Sequence, residues 1–500
     1  MKFLQSPPAW DAFPPDFWQD WQMHRLRHYL KERVIPFSAH YRRLFAAHDL
    51  HPEDLYTLDD WSKVPFTTKA QLTVSKEQQR DFVLMPSQEV LRKEWGVLWN
   101  TVFHGPAFAR DALEQEFRPV MMTSTTGRSA EPVPFLFTRH DLHNLDTTGR
   151  RLMEVGGSRK DWRHVNTFPY APHLAFWQAH HAGLGFGSFM LSTGGGKVMG
   201  TEGNISLIDK VRPEVIIGMP TFLYHVLREA VEGRRRWPQI RRIVLGGEKV
   251  AEGMRAKLLV LAQELGADDV HIISTYGFTE AKMALPECPT HLGVSASGFH
   301  ISPELAFFEI VDPVTGAPVP EGHAGEIVFT PLDARGTVVL RYRTGDIAEG
   351  GMTWTRCPHC GRQTPRLIGP ISRVSEVREL HLDKIKGTLV NFNILEHLLD
   401  DMKGVAAWQV ELRKHDDDPM EVDELLLHVT PEPGVNTLEL RRRLERRFAE
   451  VTEVQPNEIQ FHDLADLRAR LGVGRLLKEA KILDARPRAD APVAAPALTA

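Results

Sequence analysis

Apolar residues between positions 17 and 34 recur at helical spacing among charged ones. The same Trp- and Leu-rich, charged texture continues to about residue 118, which predicts a mostly helical first section. From about 120 to 345 the texture changes. The runs at 215–219, 243–245 and 270–273 are apolar throughout, as expected of parallel strands buried on both faces. Helical stretches at 207–211 and 258–265 belong between such strands, and the alternation predicts an α/β layered architecture. Glycine joints at 194–196, 246–247 and 350–351 fall where strands hand over to loops, the edge at which open α/β sheets bind ligands.

After Gly369-Pro370 the pattern changes again. Residues 407–413 and 424–430 alternate like strands, and Leu440, Leu444 and Phe448 mark one face of a helix over 437–450. That combination predicts a small α+β C-terminal domain. A chain of 500 residues exceeds one compact core, so two or three domains are expected. The division read from the sequence is 1–118 as a helical section of the large domain, 119–369 as an α/β core, 370–486 as the small domain, and a Pro/Ala-rich disordered tail at 487–500.

Charge narrows the functions. A net charge of −5 lacks the basic excess of a nucleic-acid binder. Arg441, Arg442 and Arg443 lie on the wet side of the 437–450 helix pattern. No apolar run reaches the roughly 20 residues that span a bilayer, and Met1-Lys-Phe-Leu-Gln-Ser-Pro-Pro8 has no signal-peptide apolar region. Three cysteines make no disulfide framework, so a reducing cytoplasm is the expected compartment.

Three segments carry candidate chemistry. Met122-Thr-Ser-Thr-Thr-Gly127 offers hydroxyls and backbone N–H groups suited to phosphate oxygens. No Gly-Lys-Ser/Thr closes it, so it is not a Walker A loop. Ser274-Thr-Tyr-Gly-Phe-Thr-Glu280 offers a stacking ring, a tight turn, a hydroxyl and a metal-binding carboxylate. Arg341-Tyr-Arg-Thr-Gly-Asp346 ends on an Asp able to accept both hydroxyls of a ribose. Each alone reads as an ordinary loop. In this order, together, they resemble the adenylate-forming superfamily of acyl-CoA synthetases, within it the phenylacetate–CoA ligase-like branch. The resemblance runs from about 120 to about 486 and is best matched from Tyr276 to Asp346.

The resemblance implies a large α/β layered N-terminal domain with a small mobile α+β C-terminal domain. It implies ATP-dependent activation of a carboxylic acid as an acyl-adenylate, with the acyl group then passed to coenzyme A. It assigns the triphosphate to Thr123, Ser124, Thr125, Thr126 and Gly127, with Arg128 as a further phosphate contact. Tyr276 with Gly277 matches the adenine-stacking aromatic, Gly247 and Glu248 a second adenine-side segment, Thr279 a phosphate-binding hydroxyl, Glu280 the Mg²⁺ carboxylate and Asp346 the ribose acceptor. Arg373 lies where the family carries an Arg near its hinge. Lys478 matches the terminal lysine that bonds the reacting carboxylate and α-phosphate, with Lys481 as the alternative. The chain departs from the pattern at Ser124, where glycine is common, at the enlarged Ser129-Ala-Glu-Pro132, and at the missing hinge acid after Arg373.

Cys357-Pro-His-Cys360 is a zinc-knuckle half-site, two thiolates around a tight turn. Cys288 and His300 complete a four-ligand set, with His291 or His359 as a substitute nitrogen donor. Some members of the branch carry such a site at matching positions, which implies structural Zn²⁺. Tyr170, His173 and Trp177 are the candidates for an aryl-acid pocket or, equally, for plain core. The cofactors expected are ATP/AMP, Mg²⁺, coenzyme A and structural Zn²⁺. The partners expected are a small organic acid and coenzyme A or a carrier-protein thiol, with no nucleic acid and no membrane; a homodimer is left open. A catalytically silent nucleotide-binding homologue is the alternative that the departures favour.

Overall fold

The structure is a computed structural model. It describes residues 10–73, 75–86, 91, 95–125, 132–170, 172–248, 250, 252–290, 294–373, 383–385, 388–390, 392–414, 423–452, 455–473 and 479–485. The chain divides into two compact units, residues 1–249 with 259–372, and residues 250–258 with 373–500.

Strands are numbered in chain order. In the first unit they are β1 (Pro119–Ser124), β2 (Pro134–Thr138), β3 (Arg163–Pro169), β4 (Phe189–Gly194), β5 (Val215–Gly218), β6 (Arg242–Leu245), β7 (His271–Phe278), β8 (Met283–Pro286), β9 (Phe299–His300), β10 (Ala306–Val311), β11 (Gly325–Pro331), β12 (Tyr342–Ala348), β13 (Met352–Thr353), β14 (Arg366–Leu367) and β15 (Ile371–Arg373). One six-stranded sheet has the order β4-β3-β5-β6-β7-β8. Its first five strands are parallel, and β8 folds back antiparallel on β7, pairing Tyr276 with Leu285. The apolar runs at β5 and β6 are buried along most of their length, as both-face coverage requires. Helices Leu174–Phe186, Gly196–Val211 and Pro220–Glu232 supply crossovers between the parallel strands.

A second sheet has the order β10-β11-β12-β15, with β10, β11 and β12 antiparallel. Every residue of β11 is buried. The helical first section, including Pro15–Tyr29 and Ala39–Ala47, packs on it through a core that joins Leu26, Tyr41, Trp61, Phe329 and Tyr342. The helix Arg139–Val155 starts at a reciprocal cap: Thr138 Oγ1 accepts from Asp141 N–H, and the Asp141 carboxylate accepts from Thr138 N–H. A small sheet has the order β13-β14-β9, and its strand β9 carries His300.

In the second unit, β16 (Asp383–Ile385) pairs with β17 (Thr388–Val390). A mixed sheet has the order β20-β19-β18-β21, from Glu458–Phe461, Asp423–Pro431, Val405–Lys414 and Ile482–Asp484. Helices Phe392–Asp400 and Thr437–Thr452 share its core, where Leu395, Trp408, Leu427, Leu440, Leu444 and Phe448 meet. This is the α+β pattern that the alternation at 407–430 predicts. The mixed α/β class of the whole chain is as expected.

Candidate functional site

Several singled-out segments fall on one edge. Tyr170 follows the end of β3, Gly246 the end of β6, and Tyr276 lies in the last part of β7. These strands are parallel within one sheet, so their carboxyl ends share an edge.

β7 runs into a single 3₁₀ turn, Thr279–Ala281, while β12 approaches from the other sheet. Tyr276 Oη donates to Asp346 Oδ2 at 2.8 Å. Tyr342 Oη donates to Glu280 Oε1 at 2.7 Å. Asp346 is buried, and its N–H donates to Thr344 Oγ1 at 3.0 Å. The Tyr276 ring is half-buried beside Phe278 and Phe299. The predicted stacking ring, Mg²⁺ carboxylate and ribose acceptor are therefore gathered at one place. Tyr342, which reading the sequence missed, joins them; its distance from Asp346 equals that of Tyr276 from Glu280, a signal that was available.

Behind Glu280 the backbone turns through Lys282, which adopts a left-handed φ of 56°. Its buried ammonium donates to Leu136 O at 2.7 Å and meets Asp141 Oδ2 at 3.1 Å. Burial pushes the Lys282 pKa down, against the pull of Asp141. Burial pushes Asp141 up, yet Lys282 and the N–H groups of Thr138, Arg335 and Gly336 hold its carboxyl below the usual range. Glu280 and Lys282 line one small cavity with Asp141, Asn144, Asp333 and Thr337.

Gly247 needs its φ of +79° to turn the chain after β6. Beyond it, Glu248 Oε2 accepts from Thr221 Oγ1 at 2.8 Å, next to the N-terminus of the Pro220–Glu232 helix, where a carboxylate is favoured. Thr123 and Ser124 end β1. Ser124 N–H donates to Pro172 O at 2.6 Å, and Ser124 O pairs with His173 Nδ1 at 3.1 Å. Thr125 N–H donates to Val133 O. Thr123 Oγ1 is buried and, among the described residues, unpartnered. Thr126, Gly127 and Arg128 lie outside the described residues.

His173 thus stands at the base of the hydroxyl-rich loop. Tyr170 Oη donates to Ser192 O at 2.8 Å, and its exposed ring lies edge-on to Phe176, which in turn meets Trp177. The three acid-pocket candidates divide into an aromatic group and a loop-base histidine. Arg373 is exposed at the end of β15. Lys478 lies outside the described residues. Lys481 is engaged inside the second unit: Nζ meets Asp400 Oδ1 at 2.9 Å and lies 4.9 Å from the Trp408 ring centroid.

Cys288, His300, Cys357 and Cys360 form the second centre, their ligand atoms all within 4.8 Å of one another. Cys288 Sγ and Cys357 Sγ are 3.7 Å apart, and Cys360 Sγ is 3.6 Å from His300 Nε2. A tetrahedral ion with bonds of about 2.3 Å to sulfur and about 2.0 Å to nitrogen has sulfur–sulfur edges of about 3.8 Å and sulfur–nitrogen edges of about 3.5 Å. The donor set fits. His300 Nδ1 bonds Thr364 Oγ1 at 3.0 Å, which leaves Nε2 toward the cysteines. Hydrogen bonding among the thiols pushes Cys288 up and Cys357 down. His359 is not in the group, and His291 lies outside the described residues.

Residues 172–331 match the family model described as AMP-binding enzyme. Phenylacetate-coenzyme A ligase of Pseudomonas putida is 26% identical over 337 residues, 66% of this chain and 65% of that protein. The Thermus thermophilus protein of the same description is 28% identical over 356 residues, 71% of this chain and 68% of its own. The chain therefore spans about two thirds of the length of these relatives, just under that for the first. A solved structure of 2-hydroxyisobutyryl-CoA ligase in the postadenylation state superposes with a TM-score of 0.74 at 19% identity, over 96% of this chain and 92% of that one. Its open conformation superposes at 0.61. These likenesses show the fold. The resemblance to the adenylate-forming superfamily is borne out. Within that class, the sequence relatives bear out the phenylacetate–CoA ligase-like branch.

Proposed function

We propose that this chain is an AMP-forming acid–thiol ligase, which activates a small organic acid as its adenylate and passes the acyl group to coenzyme A. The observation that carries the reading is the convergence of Tyr276, Glu280 and Asp346 through direct and tyrosine-bridged hydrogen bonds. Two anions, carboxylate and triphosphate, must be brought together, so the site has to supply alignment and positive potential. Tyr276 offers its face to the adenine, Asp346 accepts ribose hydroxyls, and the loop from Thr123 through Arg128 with Thr279 holds the phosphates. Glu280 would hold Mg²⁺, which when bound neutralises phosphate charge and orients the leaving pyrophosphate. Of the two terminal lysines, Lys478 is assigned to the reacting carboxylate, because Lys481 is committed to Asp400. Tyr170, His173 and Trp177 belong to the acid side.

Cys288, His300, Cys357 and Cys360 would hold a structural Zn²⁺ as a closed four-ligand site, tying the chain after β8 to the segment after β13. Its role is to stabilise, since all three cysteines are occupied and none is left as a thioester nucleophile.

The test is exchange of labelled pyrophosphate into ATP across a panel of aryl and small aliphatic acids, followed by thioester formation with and without coenzyme A. The expected result is exchange with at least one acid, thioester only with coenzyme A, and loss of both in Asp346→Ala. Exchange without transfer to coenzyme A points to a carrier-protein thiol instead. ATP binding without exchange on any acid sinks the reading in favour of a silent homologue.

A further inference from the structure

Glu280 sits on one 3₁₀ turn, Thr279–Ala281, a short helix type with poorer hydrogen-bond geometry than the α-helix. Among the described residues, Oε1 of its carboxylate accepts from Tyr342 at 2.7 Å and Oε2 accepts no hydrogen bond. The donor stands on much firmer ground. Tyr342 is 2% exposed and begins β12, paired with Phe329 of the fully buried β11. Its backbone is gripped from the other side by Thr67, whose N–H donates to Arg341 O at 3.1 Å and whose carbonyl accepts from Arg343 N–H at 2.9 Å. Arg341, the residue before it, is buried and bonded to Ser62 O, Val64 O and Glu309.

A rigid phenol bonded to a carboxylate on a short turn sets the rotamer of that carboxylate. The bond also leaves one defined oxygen for a cation. The arrangement has a counterpart four residues along each segment. Tyr276 donates to Asp346 just as Tyr342 donates to Glu280, so the two segments cross-donate, each tyrosine to the other's carboxylate.

We propose that Tyr342 is a positioning residue for the adenylation step, holding Glu280 in the orientation that binds the divalent cation. This rests on the acid–thiol ligase reading above. Tyr342 touches neither nucleotide nor acid in this role and acts through Glu280. A group that orients a metal-binding side chain is commonly worth about 10- to 100-fold in metal affinity.

The experiment is a Mg²⁺ titration of pyrophosphate exchange at saturating ATP and acid, on wild type, Tyr342→Phe and Tyr29→Phe. Tyr29 is a buried phenol of the same unit that donates to Ala334 O at 2.6 Å, and it serves as the control for losing a buried hydroxyl. The expected result is a rise of about 10- to 100-fold in the Mg²⁺ midpoint for Tyr342→Phe alone, with the KM for the acid unchanged at saturating Mg²⁺. Incorporating p-aminophenylalanine at 342 restores a donor and should return the midpoint to near wild type, and this variant keeps the test alive if Phe folds poorly. An unchanged midpoint in Tyr342→Phe, an equal rise in Tyr29→Phe, or no rescue by the amine overturns the proposal. If wild type itself shows no exchange, the ligase reading fails. In that case Mn²⁺ binding to the wild-type and Phe proteins with ATP, followed by electron paramagnetic resonance, still decides whether Tyr342 governs the cation site.

Discussion

Tyr276 Oη lies 2.8 Å from Asp346 Oδ2, so the ring proposed for adenine and the carboxylate proposed for ribose are bonded to each other. The hydroxyl and the face of Tyr276 can be separated by substitution. Tyr276→Phe keeps the stacking face and loses a hydrogen bond to a charged group, worth about 1.5–3 kcal/mol. Tyr276→Ala loses both. The KM for ATP in pyrophosphate exchange should rise in the order wild type, Phe, Ala; a Phe variant worse than Ala would contradict a stacking role.

Metal content offers a test that does not depend on turnover. Protein prepared without chelator should carry about one equivalent of zinc by mass spectrometry. Cys357→Ser should lose it, together with several degrees of melting temperature. A wild-type protein with well under half an equivalent would count against the site.

Gly298 supplies a backbone route to the same centre. Its φ is +111°, and a Cβ there would come within 2.2 Å of Leu367 O. Gly298→Ala must therefore push β9 away from β14 and shift His300. We expect a loss of stability of about 2 kcal/mol or more, read by urea unfolding, with zinc occupancy falling alongside. Full occupancy in this variant would mean that His300 does not depend on the turn.

The buried Lys282–Asp141 pair makes a prediction about stability alone. Lys282→Met strands a buried carboxylate and should cost about 3–5 kcal/mol. Asp141→Asn combined with Lys282→Met should be much less destabilised than the two single changes added together, because the stranded charge is gone. Simple additivity in chemical denaturation would show that the pair is not coupled.

His40 stacks on Phe82 with ring centroids 4.0 Å apart, and burial, aided by Arg43 and opposed by Asp81, lowers its pKa from 6.5 to about 4. The folded protein thus keeps His40 neutral where the unfolded chain takes up a proton. Its contribution is present above pH 6.5 and is lost as pH falls from 6.5 toward 4. Unfolding free energies measured across that window should slope less in His40→Gln than in wild type.

The sequence made the large features legible because they follow from periodicity. The apolar runs at 215–219, 243–245 and 270–273 correspond to β5, β6 and the start of β7, and the alternation at 407–430 corresponds to β18 and β19. The cysteine spacing and His300 likewise pointed to one place. What stayed hidden depends on pairing between distant segments. Nothing local marks Lys282 as the partner of Asp141, 141 residues away, or Thr221 as the partner of Glu248. Nor does periodicity indicate that residues 250–258 group with the second unit, since that helical stretch reads like its neighbours. Tyr170, His173 and Trp177 are neighbours along the chain, whereas the fold sends His173 to the end of β1.

The crossed tyrosine–carboxylate bonds also limit how this stretch of chain can change over time. Both intervals, 276 to 280 and 342 to 346, have the same length, and each phenol donates to the carboxylate of the opposite segment. A single inserted or deleted residue within either interval would keep the two bonds from forming together unless a matching change arose in the other. The two stretches should therefore be inherited with fixed spacing, as one indivisible unit, even where the surrounding loops vary freely in length.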